Sequence, residues 1–157
     1  MEQKAEMSVE QVVLLIFKAI NLSLTEIEYG LVGIPRLNLL KRRRFADVYK
    51  TLLLYLFRLS FEKSFPEHSA ELLRTFDRYL QMSYENHPAT IETVLARLSS
   101  FQELTKTGEE DPFKELASNI TGQFRGRGAS AYVTKLNKRI HDLYSTYLNL
   151  SNEIEIR

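Results

Sequence analysis

Four consecutive cations, Lys41-Arg42-Arg43-Arg44, are the sharpest chemical feature of this 157-residue sequence. Such side chains neutralise phosphates or carboxylates, and Phe45 and Tyr49 just beyond supply aromatic faces on which a nucleobase can stack. Successive side chains on a helix lie 100° apart, so four of them sweep about 300° of its surface. They cannot all avoid a core that surrounds the helix. The pattern therefore predicts that this end projects from the body, or that the chain bends here. The plainer alternative is a solvated helix surface, with Arg43 and Asp47 spaced for an i,i+4 ion pair.

A second basic feature runs from Gly122 to Ser130, where Arg125 and Arg127 alternate with Gly126 and Gly128. Residues 126–131 satisfy the spacing G-x-G-x-x-A, but a dinucleotide fingerprint needs a strand in front of it. Here the apolar spacing predicts a helix in front, so that reading is rejected. A phosphate-binding P-loop is excluded because no Lys-Ser or Lys-Thr follows a suitably spaced glycine. What survives is a glycine-rich loop opening a helix, whose free N–H groups and two arginines suit an anion. Its alternative is an exposed connector kept in water by its arginines. The candidate anion- or nucleic-acid-binding set is thus Lys41, Arg42, Arg43, Arg44, Arg125 and Arg127.

Catalytic and metal-binding patterns are missing. The sequence has no cysteine, which excludes disulfides, thiolate metal sites and cysteine nucleophiles. Its three histidines, His68, His87 and His141, show no H-E-x-x-H, E-x-x-H or second His at i+4. There is no G-x-S-x-G elbow, and Glu109-Glu110-Asp111 lacks the alternating ligands of a calcium loop. No catalytic residue, metal or cofactor is therefore expected, and the chain is read as a non-enzyme.

The elements that must position these groups are helical. All four prolines and six glycines fall between apolar segments that recur at three and four residues. A first helix is expected from Ser8, where Gln11 completes a capping box, with Val9, Val13, Ile16, Ile20, Leu24 and Ile27 on one face until Gly30. A second follows Pro35 to about Ser64 and is apolar on nearly every side from Val48 to Phe61. A third follows Pro66, a fourth begins at Thr90, and a short fifth is expected to be capped by Asp111 with Pro112 in its first turn. The last is the most regular: Val133, Leu136, Ile140, Leu143, Tyr147, Leu150 and Ile154 step 3-4-3-4-3-4. Its e and g positions pair few charges, and Tyr144 and Leu148 widen the stripe, so a helix inside a bundle is favoured over an intermolecular zipper. The expected fold is all-α: a compact single-domain bundle of five to six helices spanning 1–157, with a long heptad-patterned C-terminal helix. Three N-glycosylation sequons, at Asn21, Asn119 and Asn149, fall in segments read as helical and are taken as chance.

Net charge is +1, but the segments differ: −3 over 1–35, +6 over 36–63, −5 over 64–113 and +3 over 114–157. The longest apolar runs are six residues, far below the roughly 20 of a membrane span, and the first residues lack a basic secretion signal. A cytoplasmic location without membrane association is therefore expected. Two function classes follow. One is a non-catalytic interaction module, an adaptor, chaperone-like or regulatory protein, with a protein partner or a second copy of itself. The alternative is a nucleic-acid-binding subunit that contacts phosphates through residues 41–44 and the 122–130 loop.

Overall fold

Ser8 starts the first helix as its sequence predicts: the Gln11 amide donates to Ser8 Oγ at 3.2 Å, and the Ser8 amide donates to Gln11 Oε1 at 2.8 Å. The computed structural model describes residues 3–20, 24–126 and 129–157. Helix α1 (Val9–Ile20) buries Val9, Val12, Val13, Ile16 and Ile20. The expected continuation through Leu24 and Ile27 does not occur. Thr25 and Glu28 form a new capping box that resets the helical phase and starts α2 (Glu26–Gly30), leaving Ile27 exposed.

The central helix α3 (Leu39–Ser64) begins where Asn38 Oδ1 accepts the Lys41 amide at 3.2 Å. From Phe45 to Phe61 it is buried on most sides and forms the axis of the core. A single 3₁₀ turn (Pro66–His68) leads into α4 (Ser69–Ser83), which buries Leu72, Phe76 and Leu80. Helix α5 (Pro88–Leu104) has its proline in the first turn, and Gly108 at φ +90° bends the link that follows. Asp111 does not cap α6 (Lys114–Phe124). Its carboxylate instead accepts from Asn137 Nδ2 at 2.9 Å and pairs with His141 Nε2 at 2.8 Å, tying this link to the last helix.

Helix α7 (Ser130–Asn152) makes its broadest contacts with α3 and then α6. Leu136 and Ile140 are buried, the other helical members of the heptad seam pack on the same core, and Tyr147 stacks on Phe57 at 3.8 Å between ring centroids. The seam thus faces its own bundle. Ile154, expected as its last helical step, lies in a strand instead: β2 (Ile154–Ile156) pairs in parallel with β1 (Ala5–Met7), Ala5 opposite Ile154. The alternation Ile154-Glu155-Ile156 suits a ribbon with one buried side, and Ile154 takes that side. The result is an all-α bundle around one hydrophobic core, with seven α-helices and this short ribbon among the described residues. None of those helices is long and apolar enough to cross a membrane. Asn119 and Asn149 lie within α6 and α7, while the sequon at Asn21 lies outside the described residues.

Candidate functional interface

The first turns of α3 project beyond the core. Leu39 and Leu40 are 74% and 77% exposed, and Leu37 just before them is 93% exposed. One turn later Phe45 is fully buried, against Tyr29, Tyr49 and Phe124. The four cations span this passage from solvent to core, so each meets a different environment. The positive end of α3 also carries no acidic residue in its first turn. A helix usually favours carboxylates there, by about 0.3–1 kcal/mol each, and this one places Lys41 instead.

Arg42 turns inward. Its two terminal nitrogens each donate at 2.7 Å to Glu26, Nε donates to the Pro35 carbonyl at 3.1 Å, and the guanidinium lies 4.4 Å from the centroid of the Tyr29 ring. The hydrogen bonds from Arg42 hold the Glu26 carboxyl below its ordinary value, and Glu26 in turn raises Arg42. Expected among the phosphate-binding cations, Arg42 is instead a clamp that holds α2 and the 31–35 link on α3.

The other three remain available. Lys41 Nζ donates to the Phe124 carbonyl at 3.3 Å, at the C-terminal end of α6. The Arg44 guanidinium lies 5.7 Å from the centroid of the Phe124 ring. Arg43 is exposed, and the expected Arg43–Asp47 ion pair is not formed. None of Lys41, Arg43 and Arg44 has a carboxylate within 4.0 Å among the described residues.

Arg125 comes to the same end of the bundle. It donates to the Gly33 carbonyl at 3.2 Å and stacks 4.2 Å from the centroid of the Tyr132 ring. Gly33 makes this possible. Its φ is +64°, and a Cβ there would fall 2.7 Å from Tyr132 and 2.8 Å from Arg125. The two basic segments, with Lys41 and Phe124 83 residues apart in sequence, therefore meet around Phe124, with Lys41, Arg44 and Arg125 about it and Arg43 next in the chain. Arg127 lies outside the described residues.

The exposed leucines are the part of this face that the apolar pattern did not reveal. Among the described residues six large apolar side chains are exposed, and four of them, Ile27, Leu37, Leu39 and Leu40, lie in or next to the α2–α3 link. Clustered exposed apolar side chains are a recognised feature of contact surfaces, whereas isolated exposed leucines are ordinary. The signal was present as three leucines within four residues, immediately before the basic run and out of phase with the buried stripe of α3.

Of the three histidines, His141 is held by Asp111. His141 and Asp111 form a partly exposed pair with Asn137, and no hydroxyl nucleophile hydrogen-bonds to that histidine among the described residues. No set of three His, Cys, Asp or Glu side chains converges to hold a metal among them either. Compared with models of known protein families, with curated proteins and with solved structures, this chain matches none.

Proposed function

We propose that this protein is a non-catalytic helical interaction module that docks another polypeptide through the projecting end of α3. The observation that carries this reading is the juxtaposition of unpaired cations with exposed leucines. Lys41, Arg43 and Arg44 follow Leu37, Leu39 and Leu40 directly along the chain, Arg125 comes to the same end beside Phe124, and none of the four has a carboxylate within 4.0 Å among the described residues. Apolar side chains in the middle of a patch with charges at its edge are the ordinary anatomy of a protein–protein contact. The complementary surface carries Asp or Glu opposite the cations and apolar groups opposite the leucines. A second copy of this chain fits less well at this face. A two-fold contact would set each arginine cluster against itself, and like charges in close apposition repel.

The alternative, a nucleic-acid-binding subunit, draws on the convergence of the two basic segments. It leaves three exposed leucines without a role, because phosphates and sugars offer them little. The two readings separate in one titration series. A labelled amphipathic peptide with Glu and Leu at helical spacing, and a labelled single-stranded oligonucleotide, are each titrated with the full chain and followed by fluorescence anisotropy. Docking on a polypeptide predicts that the peptide binds, and that both Arg43→Glu/Arg44→Glu and Leu39→Ser/Leu40→Ser weaken it by about tenfold or more. Oligonucleotide binding that falls steeply with salt and ignores the leucine changes would establish the alternative instead.

A further inference from the structure

Beside the middle of α3, along Asp47, Lys50, Thr51 and Leu54, helices α1, α3 and α5 part to leave a cleft of about 670 Å³. Its inner wall is apolar, formed by Phe17, Leu54 and Val94, and a single guanidinium, Arg97, enters it from α5. Arg97 is half-buried, and burial holds it below its ordinary value. Its contacts are neutral: Nη1 donates to Thr51 Oγ1 at 3.2 Å and reaches the Asp47 carbonyl at 3.5 Å. No carboxylate lies within 4.0 Å of it among the described residues. Asp47 attracts this guanidinium only from beyond ion-pair distance, and Nε and Nη2, which make no hydrogen bond among the described residues and are not sealed from solvent, stay open to an anionic ligand.

We propose that this cleft binds a small organic carboxylate with an apolar body, the carboxylate forked on Arg97 and the body against Phe17, Leu54 and Val94. The volume suits a ligand of that kind, since such sites span roughly 300–1,000 Å³, and beside the apolar wall the lining is polar, with Thr51, Ser83, Thr90 and Thr93 able to hydrogen-bond the carboxylate end. The charge on the rim sets the ligand's charge. Lys50 adds one cation and Asp47 one carboxylate, so the lining is net +1 and matches a single negative charge rather than a doubly charged phosphate. Tyr84, whose phenol burial pushes up from its ordinary value, lines the same cleft.

The test uses the full chain, with benzoate and hexanoate as probes, benzamide as the uncharged control and inorganic phosphate as the anion without an apolar body. Binding is followed by calorimetry and by the shift in melting temperature. One or both carboxylates are expected to bind, benzamide and phosphate to bind at least about tenfold more weakly, and Arg97→Gln to lose about tenfold or more in affinity. Thr93→Trp fills the mouth of the cleft and leaves the Arg97 hydrogen bonds in place, so it abolishes binding even if Arg97→Gln fails to fold. No carboxylate binding up to about 10 mM, equal binding of benzamide or phosphate, or unchanged affinity in a folded Arg97→Gln or Thr93→Trp protein would each overturn the proposal.

Discussion

At Gly33 the backbone, a stacked arginine and the projecting face depend on one missing methyl group. Alanine there would need a left-handed conformation and would run into Tyr132 and Arg125. Gly33→Ala is expected to lower stability by about 1–3 kcal/mol and to free the Arg125 side chain, read by urea unfolding and by NMR of the guanidinium. Asp111 makes a smaller, pH-dependent contribution. The hydrogen bond from His141, with that from Asn137, holds its carboxyl below the ordinary 3.8, so the folded state favours the ionised form. Stability from this tie is present above that ordinary value and is lost as pH falls through the lower folded one. Asp111→Asn should flatten the acid limb of the stability profile and speed amide exchange in the 105–113 link. The types of these residues were legible in the sequence, but their tasks were not. Asp111 in front of Pro112 has the chemistry of a helix cap, and only the approach of α7 gives it Asn137 and His141 to hold. Likewise nothing local distinguishes Arg42 from Arg43, because Glu26 reaches Arg42 only after α2 has folded back.

Among the elements, α3 passes from an exposed first turn into the core, and Phe45 marks the change. It is fully buried, edge-on to Phe124 with centroids 5.3 Å apart, and directly follows the last cation. Phe45→Ala is expected to destabilise the fold by about 3–5 kcal/mol and to loosen the cradle of Lys41, Arg44 and Arg125 with it. Denaturant unfolding measures the first effect, and the peptide titration in conditions where the variant is folded measures the second. Helix α7 carries a heptad seam that in isolation suggests a zipper, yet its buried members meet α3 and α6. Leu136→Ala should therefore lower stability by about 2–5 kcal/mol while leaving the mass measured by sedimentation unchanged; a shift in oligomeric state would show that the seam faces a second chain. The all-helical class and the order of the main helices were readable because most Pro and Gly fall between apolar segments, although seven helices form where five to six were expected and Gly122 lies inside α6. Two features were not. The break between α1 and α2 rests on a Thr25–Glu28 capping box inside an otherwise continuous stripe, and the β1–β2 ribbon depends on pairing between residues almost the whole chain apart. Such long-range pairing leaves only a three-residue alternation at each end as its local trace.

For the molecule as a whole, the near-neutral total conceals cations drawn from two distant segments onto one end, beside the most exposed leucines. Buried and partly buried tyrosines contribute to the alkaline limb of stability. Burial, together with neighbouring Tyr49, pushes Tyr147 up to about 12 against the opposing pull of Arg139, and burial also raises Tyr49, Tyr55, Tyr84 and Tyr144. An unfolded tyrosine ionises near 10, so between about 10 and 12 the folded state binds more protons and stability falls as pH rises. Tyr147→Phe is expected to make that fall shallower, as measured by urea midpoints across the range. The central claim, that the projecting end of α3 receives an acidic and apolar protein surface, is tested most directly by photo-crosslinking in the protein's own cells. A benzophenone side chain replaces Leu39 in the full chain, with a control at exposed Met82, and the adducts are sequenced. The account predicts one dominant peptide adduct from another protein, rich in Asp or Glu beside apolar residues, that is lost in Arg43→Glu/Arg44→Glu and does not form from position 82. Adducts to nucleic acid, or the same adducts from both positions, would contradict it.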